Sequence, residues 1–293
     1  MGRDLAGTFP VARRTFEEAD DRLGASLSTL CFEGPEDALR STEHAQPAIL
    51  TASVAAYRVL EQTAGLRPLA VCGHSLGEWS ALVAAGALDL GDAVVAVRER
   101  GRLMQHAVPD GVGAMAAVMG LDAHAVIALC REASDGEVLA PANLNGGGQV
   151  VVSGHAAAVA RLVALVESRR GRAKALAVSA PFHCALMEPA AIGLARHLAG
   201  VAFRDPGVPF WTSVEARPVS SAAELRDLLV RQVTSPVRWE ETARGVASLG
   251  PTTVLEVGPG RVLAGLWKRI VADLRAMPVG DVEGVTRARE AIA

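Results

Sequence analysis

The pentapeptide Gly73-His74-Ser75-Leu76-Gly77 has the residue types and spacing to do chemistry. Gly-x-Ser-x-Gly between a strand and a helix is typical of a nucleophile elbow, a strained turn that exposes the serine hydroxyl above a sheet edge. A short apolar run over 69–72 precedes the turn and an Ala/Leu-rich segment follows it, which predicts a strand–turn–helix unit. The helix N-terminus would offer the Leu76 N–H to an oxyanion. The alternative is a plain turn or N-cap serine, because the five-residue pattern also occurs by chance.

A serine nucleophile needs a base, and the chain has seven histidines. His183 stands out because it lies in the segment Ser-Ala-Pro-Phe-His-Cys, a loop after a predicted strand that can present a side chain over a sheet edge. His74 precedes the serine, so its ring should point away from the hydroxyl. His155 is expected to cap a helix. The spacing alone leaves open whether His183 is the base.

Composition limits the function classes. The chain has 293 residues, half of them hydrophobic, and a net charge of −3 without a long basic block. A compact α/β protein is expected, and nucleic acid is not an expected partner. The four cysteines form no CxxC pair, so neither a zinc site nor a disulfide framework is predicted. No signal-peptide core and no apolar run of membrane-spanning length is found, and the expected compartment is the cytoplasm.

Periodicity predicts alternating helices and buried strands. The predicted helices cover 11–30, 36–64 (one or two helices), 76–86, 92–106, a segment ending at 199, 221–233 and 261–275, and the strands cover 69–72, 209–214 and 252–260. Pro47 is expected at a helix start and Gly65 at a helix C-cap. This alternation implies a mostly parallel sheet with helices on both faces.

From Gly111 the pattern changes to β-α-β-β-α-β, with a last strand at 173–179. That order is typical of a ferredoxin-like unit. The predicted domains are therefore a catalytic core made of residues 1–110 and 181–293, and an inserted subdomain made of residues 111–180.

The chain resembles a known family through seven segments in chain order: TEHAQPAI, GHSLGEWSAL, VRERGRLMQ, ANLNGGGQVVVSGH, SAPFHCALM, QVTSPVRW and LEVGPGRVLAGL. Together they are similar to the malonyl-CoA:acyl-carrier-protein transacylases of fatty acid synthesis and to the acyltransferases of polyketide synthases, including free-standing ones that act in trans. The resemblance extends from Met1 to about Asp281. It implies an α/β-hydrolase-like core with a ferredoxin-like insertion.

The resemblance implies a role for each matching residue. Ser75 would be the nucleophile and His183 the base. Gln232 would orient the histidine through its main-chain carbonyl, in place of an aspartate.

The resemblance also assigns substrate recognition. Arg100 would bind the free carboxylate of the malonyl group, and a guanidinium can hold a planar carboxylate through two parallel hydrogen bonds. From the residues alone, Arg100 could equally be one of several arginines on a charged helix face. Phe182, before the histidine, implies malonyl over methylmalonyl, because its bulk would fill the space that an α-methyl group needs. One methyl group is worth only about 1–3 kcal/mol.

The sequence departs from the family at one end. Family members normally begin with a strand and a Pro-Gly-Gln-Gly-Ser-Gln loop just before the segment matching Met1-Gly-Arg-Asp-Leu5, and the sequence contains neither. The glutamine of that loop flanks the oxyanion hole in the family. A translation start upstream of Met1 is the hypothesis that explains the difference.

The expected function is transfer of a malonyl group from malonyl-CoA, through a seryl ester, to the phosphopantetheine thiol of an acyl carrier protein. A monomer without a metal or other cofactor of its own is expected. One alternative is a thioester hydrolase that clears stalled acyl groups from carrier proteins, although it would gain nothing from a carboxylate-binding Arg100. Another is a non-enzymatic docking or scaffold protein, against which Ser75, Arg100 and His183 argue.

Overall fold

The structure is a computed structural model that describes residues 1–178 and 180–292. Its helices are α1 (Arg3–Thr8), α2 (Pro10–Leu23), α3 (Leu27–Glu33), α4 (Thr42–Ala64), α5 (Gly77–Ala84), α6 (Leu90–Gln105), α7 (Ala123–Ser134), α8 (Ala156–Ser168), α9 (Glu188–Leu198), α10 (Ala222–Gln232), α11 (Trp239–Ala247), α12 (Val262–Ile270) and α13 (Val282–Ile292). Its strands are β1 (Val71–Cys72), β2 (Gly113–Met119), β3 (Leu139–Gly146), β4 (Gln149–His155), β5 (Arg172–Ala175), β6 (Phe210–Thr212), β7 (Arg217–Val219), β8 (Thr253–Val257) and β9 (Arg275–Val279). No helix in this described part is long and apolar enough to cross a bilayer.

The core contains two groups of strands with helices packed around them. β1 pairs in parallel with β6, and β7 adds to β6 in the antiparallel sense. β8 and β9 form a separate parallel pair. A cavity of about 710 Å³ lies between β1 and β8 and is also lined by α4 and α12. Two of the three strand pairings in these groups are parallel, as predicted. Among residues 1–178 and 180–292, the two groups share no strand pairing.

Strands β2 to β5 form a separate sheet. Its four strands are in the order β3-β4-β2-β5, with every pairing antiparallel. α7 and α8 bury an apolar cluster against this sheet that includes Leu129, Val152 and Leu162. The predicted β-α-β-β-α-β order is therefore confirmed. Its last strand ends at Ala175, and Ser179 of the predicted 173–179 strand lies outside the described residues.

Glycine and proline residues at three positions allow the predicted helix boundaries to be compared with the structure. The predicted helix 11–30 is two helices, because Gly24 takes a left-handed φ of 59° and ends α2. Gly65, with φ 60°, caps α4 as predicted. The prediction for Pro47 was wrong, since α4 begins five residues earlier. The extra turn packs so closely on α6 that a Cβ on Gly101 would lie 2.5 Å from the Thr42 carbonyl oxygen.

The last part of the chain was predicted least well. α12 ends at Ile270, whereas the predicted helix continues to 275, where β9 begins. α11 and α13 were not predicted. β9 contains Arg275 and Pro278, which weaken an apolar strand pattern, and Pro is tolerated there because the strand lies at a sheet edge.

Candidate active site

The predicted elbow is present. β1 leads directly into Gly73, and α5 begins at Gly77. Ser75 has φ 50°, a left-handed conformation that costs a non-glycine residue about 1–2 kcal/mol. A Cβ on Gly73 would lie 1.9 Å from the carbonyl carbon of Gly77, whereas a Cβ on Gly77 would meet nothing within 4 Å. The first glycine is therefore required by the close approach of the other limb of the elbow.

His183 lies beside the serine hydroxyl. The Ser75 Oγ is 2.8 Å from His183 Nε2, and His183 Nδ1 is 2.8 Å from the main-chain oxygen of Gln232. A carbonyl can only accept, so Nδ1 carries the ring proton and Nε2 is free to accept the proton of Ser75. The sequence left open whether His183 meets the serine, and the geometry brings the two together.

The position of Gln232 explains how a carbonyl can orient the base. Gln232 is the last residue of α10, where main-chain carbonyls have no partner within the helix and the helix dipole is negative. Burial, followed by the positive charge of Arg100, lowers the pKa of His183 to about 3. The imidazole is therefore neutral at pH 7 and able to take a proton.

Arg100 is the cation of the site. It is 2% exposed and donates from Nη1 to Gln46 Oε1 (2.7 Å) and from Nη2 to Ser75 Oγ (3.1 Å) and Gln232 Oε1 (3.0 Å). All three acceptors are uncharged. Burial lowers the pKa of Arg100 to about 10, which leaves it positive at neutral pH. The arrangement can bind an anion within a few ångströms of the nucleophile.

The Leu76 N–H is placed as an oxyanion donor would be. It follows Ser75 directly and finds no hydrogen-bond partner among residues 1–178 and 180–292. The side chain of Gln232 holds the same turn, because its Nε2 donates to the main-chain oxygen of Ser75 at 3.1 Å. Gln232 thus contacts the nucleophile, the base and the cation.

His74 points away from the hydroxyl, as its position predicted. Its Nε2 is 2.9 Å from Asn145 Oδ1, and Asn145 donates to Gln149 Oε1 at 3.1 Å. Burial lowers the pKa of His74, so the ring is neutral. Asn145 lies on β3, and this contact joins the elbow to the four-stranded sheet.

Phe182 lies between the four-stranded sheet and the main apolar core. Its half-buried ring packs on Met115, Ala142 and Val151 of the four-stranded sheet and also on the main apolar core. Phe182 directly precedes His183, so a smaller or larger side chain at this position would change the space beside the base.

Sequence reasoning missed three residues of this neighbourhood: Gln46, Glu78 and Asn145. Each is at most 7% exposed. A signal was available for Glu78, since a charge in an Ala/Leu-rich helix three residues after the serine is out of place unless it is buried for a purpose. In the described part of the chain, no group of three or more His, Cys, Asp or Glu side chains is arranged to hold a metal ion.

Comparison with known proteins agrees with this geometry. The family described as "Acyl transferase domain" matches residues 1–288. The chain belongs to this family. This acyl transferase is 48% identical to the malonyl CoA-acyl carrier protein transacylase of Haemophilus influenzae, over 99% of the chain and 94% of that protein.

Two solved structures are similar to this acyl transferase over its full length. The malonyl CoA-acyl carrier protein transacylase of Coxiella burnetii has a TM-score of 0.97 at 39% identity, covering 100% of this chain and 93% of that one. A malonyl-transacylase solved in complex with its type II PKS acyl-carrier protein has a TM-score of 0.96 at 46% identity, covering 99% and 94%. The α/β acyltransferase fold is confirmed by these similarities, and they offer no support for a hydrolase.

Proposed function

We propose that this acyl transferase moves a malonyl group from malonyl-CoA to the phosphopantetheine thiol of an acyl carrier protein, in fatty acid or polyketide synthesis. One observation carries the proposal: the Ser75 hydroxyl is shared between a neutral base, 2.8 Å away, and a buried cation, 3.1 Å away. A nucleophile beside a base suits acyl transfer, and the cation adds a preference for acyl groups that end in a carboxylate. The relatives named above support the same substrate and acceptor.

In the first half-reaction, His183 Nε2 takes the proton of Ser75 while Oγ attacks the thioester carbonyl. The oxyanion accepts a hydrogen bond from the Leu76 N–H. The carbon–sulfur bond then breaks, and the CoA sulfur leaves with the proton held by His183. A malonyl ester of Ser75 remains.

In the second half-reaction, Arg100 holds the free carboxylate of the malonyl ester. The carrier-protein thiol gives its proton to His183, and its sulfur attacks the ester carbonyl. The carbon–oxygen bond breaks, and Ser75 Oγ recovers the proton. Each step is a proton transfer through His183 or a nucleophilic attack, first by Ser75 and then by the carrier-protein thiol, so the proposed reaction calls on no metal or redox cofactor.

The proposal also includes the residue boundaries of two domains. Residues 1–110 and 181–293 would form the catalytic core, and residues 111–180 the insertion. Phe182 would limit space at the α-carbon and favour malonyl over methylmalonyl. A monomer is expected from the family resemblance, and the cytoplasm is the compartment expected from the sequence.

The direct test is the intact mass of the protein after brief incubation with malonyl-CoA. A gain of one malonyl group on the unaltered chain and on Ser80→Ala, but not on Ser75→Ala, is expected. Adding a phosphopantetheine-loaded carrier protein should then move the group to the carrier. Steady release of malonate without transfer would instead identify a hydrolase, and no acylation together with no CoA release would overturn both functions.

A further inference from the structure

Glu78 is a buried carboxylate with no part in the reaction described above. It lies in the first turn of α5 and is 0% exposed. Its Oε1 accepts from the Ser213 N–H and, at 2.6 Å, from the Ser213 hydroxyl. Its Oε2 has no hydrogen-bond partner in the described part of the chain. A buried carboxylate with one bare oxygen is costly, so its presence calls for a reason.

The groups around Glu78 explain why a carboxylate is buried at this position. The Gln232 side chain and the Arg100 charge both favour its ionised form, and Glu78 in turn favours the positive form of Arg100. The Arg100 Nε is also buried without a hydrogen-bond partner in residues 1–178 and 180–292. All three acceptors of Arg100 are uncharged, and no carboxylate of the described residues forms an ion pair with it. The negative charge that acts on Arg100 is that of Glu78, at longer range than a direct ion pair.

Other titratable groups near this pair do not provide that charge. The thiol of Cys72 faces Glu78 from β1, and burial together with the Glu78 charge raises its pKa to about 12, so it stays protonated. His183 faces Arg100, and His74 faces His183, and both rings are neutral at pH 7 because burial lowers their pKa values.

We propose that Glu78 is a positioning residue for substrate selection, which balances the charge of Arg100 in the free enzyme and takes up a proton when an acyl group with its own carboxylate binds to Arg100. The proton comes from solvent and forms an O–H bond on the carboxylate of Glu78, and no other bond is made or broken. The inference rests on the proposed function, since it needs Arg100 to bind the malonyl carboxylate.

The physical basis is the cost of two buried carboxylates beside one guanidinium. Burial already raises the pKa of Glu78 to about 7 in the free protein, so adding a proton there at neutral pH costs little. A second negative charge on Arg100 raises that pKa further. Malonyl binding should therefore be independent of pH below about 7 and weaken above it, by up to about tenfold per pH unit for one linked proton.

The test is calorimetric binding to Ser75→Ala, which does not turn over. Malonyl-CoA and acetyl-CoA are titrated from pH 6 to 9 in two buffers with different ionisation enthalpies. With malonyl-CoA, uptake of about half a proton is expected at pH 7, approaching one at pH 8. Acetyl-CoA should lack this uptake, and any proton bound by the CoA phosphates is common to both ligands and cancels. Ser75→Ala/Glu78→Gln should bind malonyl-CoA at pH 6 but lose the difference in proton uptake.

The outcomes separate the two proposals. Equal affinity for the two ligands at pH 6 would overturn carboxylate recognition by Arg100. A preference for malonyl-CoA without extra proton uptake, or with uptake that survives Glu78→Gln, would overturn the role of Glu78 and leave the proposed function intact. If the glutamine variant does not fold, Ser75→Ala/Glu78→Asp decides. Its shorter carboxylate should still take up a proton, with a shifted midpoint, and an unchanged midpoint would overturn the role of Glu78.

Discussion

The Nε2 atom of His74 lies 2.9 Å from Asn145 Oδ1, so the residue beside the nucleophile is tied to the four-stranded sheet. Both side chains are buried or half-buried, and the contact joins parts of the molecule that are 71 residues apart in sequence. A hydrogen bond in such surroundings fixes orientation as well as adding stability. The residue that directly precedes the nucleophile is therefore anchored to a side chain of β3.

Asn145→Ala should lower the rate of acylation by malonyl-CoA about tenfold, because a misplaced reacting group loses rate steeply. Pre-steady-state acylation, followed by quenched-flow mass measurement, gives the rate. Gln149→Ala is the matched control, since it removes only the second bond to Asn145 and should have the smaller effect. Acylation of Asn145→Ala at the unaltered rate would show that the tether does not position Ser75.

Arg100→Ala should reduce the ratio of malonyl to acetyl loading by about 10²-fold or more. Each charged hydrogen bond is worth about 1.5–3 kcal/mol, and a bidentate carboxylate would lose two. Competition between the two CoA thioesters, read as the masses of the acyl-enzymes, measures the ratio. Arg102→Ala, which removes an exposed arginine paired with Glu99, is the control and should leave the ratio unchanged. An unchanged ratio in Arg100→Ala would contradict the assignment.

The depressed pKa of His183, about 3, predicts an unusual pH profile. The unprotonated base predominates above that value in the free protein, so acylation at subsaturating malonyl-CoA, which reports the free protein, should be nearly level from pH 7 to 5.5. A histidine with the ordinary value of 6.5 would lose about tenfold over this range. A decline with a midpoint near 6.5 would be the contrary result. The lowered pKa of His183 also affects the stability of the folded protein. Its contribution is fully present above about pH 6.5 and is lost as the pH falls towards 3, because the unfolded chain then binds a proton that the folded protein does not.

Glu78→Gln should change the pH dependence of stability. The pKa of Glu78 is raised from 4.5 to about 7, so its favourable contribution is complete below pH 4.5 and is lost as the pH rises through 7. At pH 8.5 the ionised carboxylate costs up to about 3 kcal/mol, which the neutral amide avoids. Urea unfolding at pH 5 and pH 8.5 measures the free energy of unfolding of both proteins. The difference between the variant and the parent should shift in favour of the variant from pH 5 to pH 8.5. Glu283→Gln, at an exposed position, should show no such gain, and a pH-independent difference for Glu78→Gln would argue against a buried titrating carboxylate.

Phe182→Ser should let methylmalonyl-CoA compete better against malonyl-CoA. Removing the ring opens space beside His183, and one methyl group is worth about 1–3 kcal/mol, so the ratio should move by about tenfold or more. Competitive acylation measures it, with Phe203→Ser, on a half-buried ring away from the site, as the control. If the ratio does not move, Phe182 does not limit the space at the α-carbon.

The sequence predicted the elbow, the insertion and the residues around Ser75 because each has a local signature: a glycine spacing, a change in period, or a family segment. Gln46 and Asn145 have no such signature, since each acts through one long-range contact that only the folded chain creates. Pro47 was misplaced because packing of the first turn of α4 against Gly101 outweighs the local preference of proline for a helix start. β9 was not predicted, because five residues containing Arg275 and Pro278 have too little pattern to identify a strand.

Gln232, at the end of α10, holds three parts of the site at once. Its main-chain oxygen accepts from His183 Nδ1, its Oε1 accepts from Arg100 Nη2, and its Nε2 donates to the main-chain oxygen of Ser75. A shift in the end of α10 would therefore move the base, the cation and the nucleophile turn together, and the three cannot be adjusted one at a time.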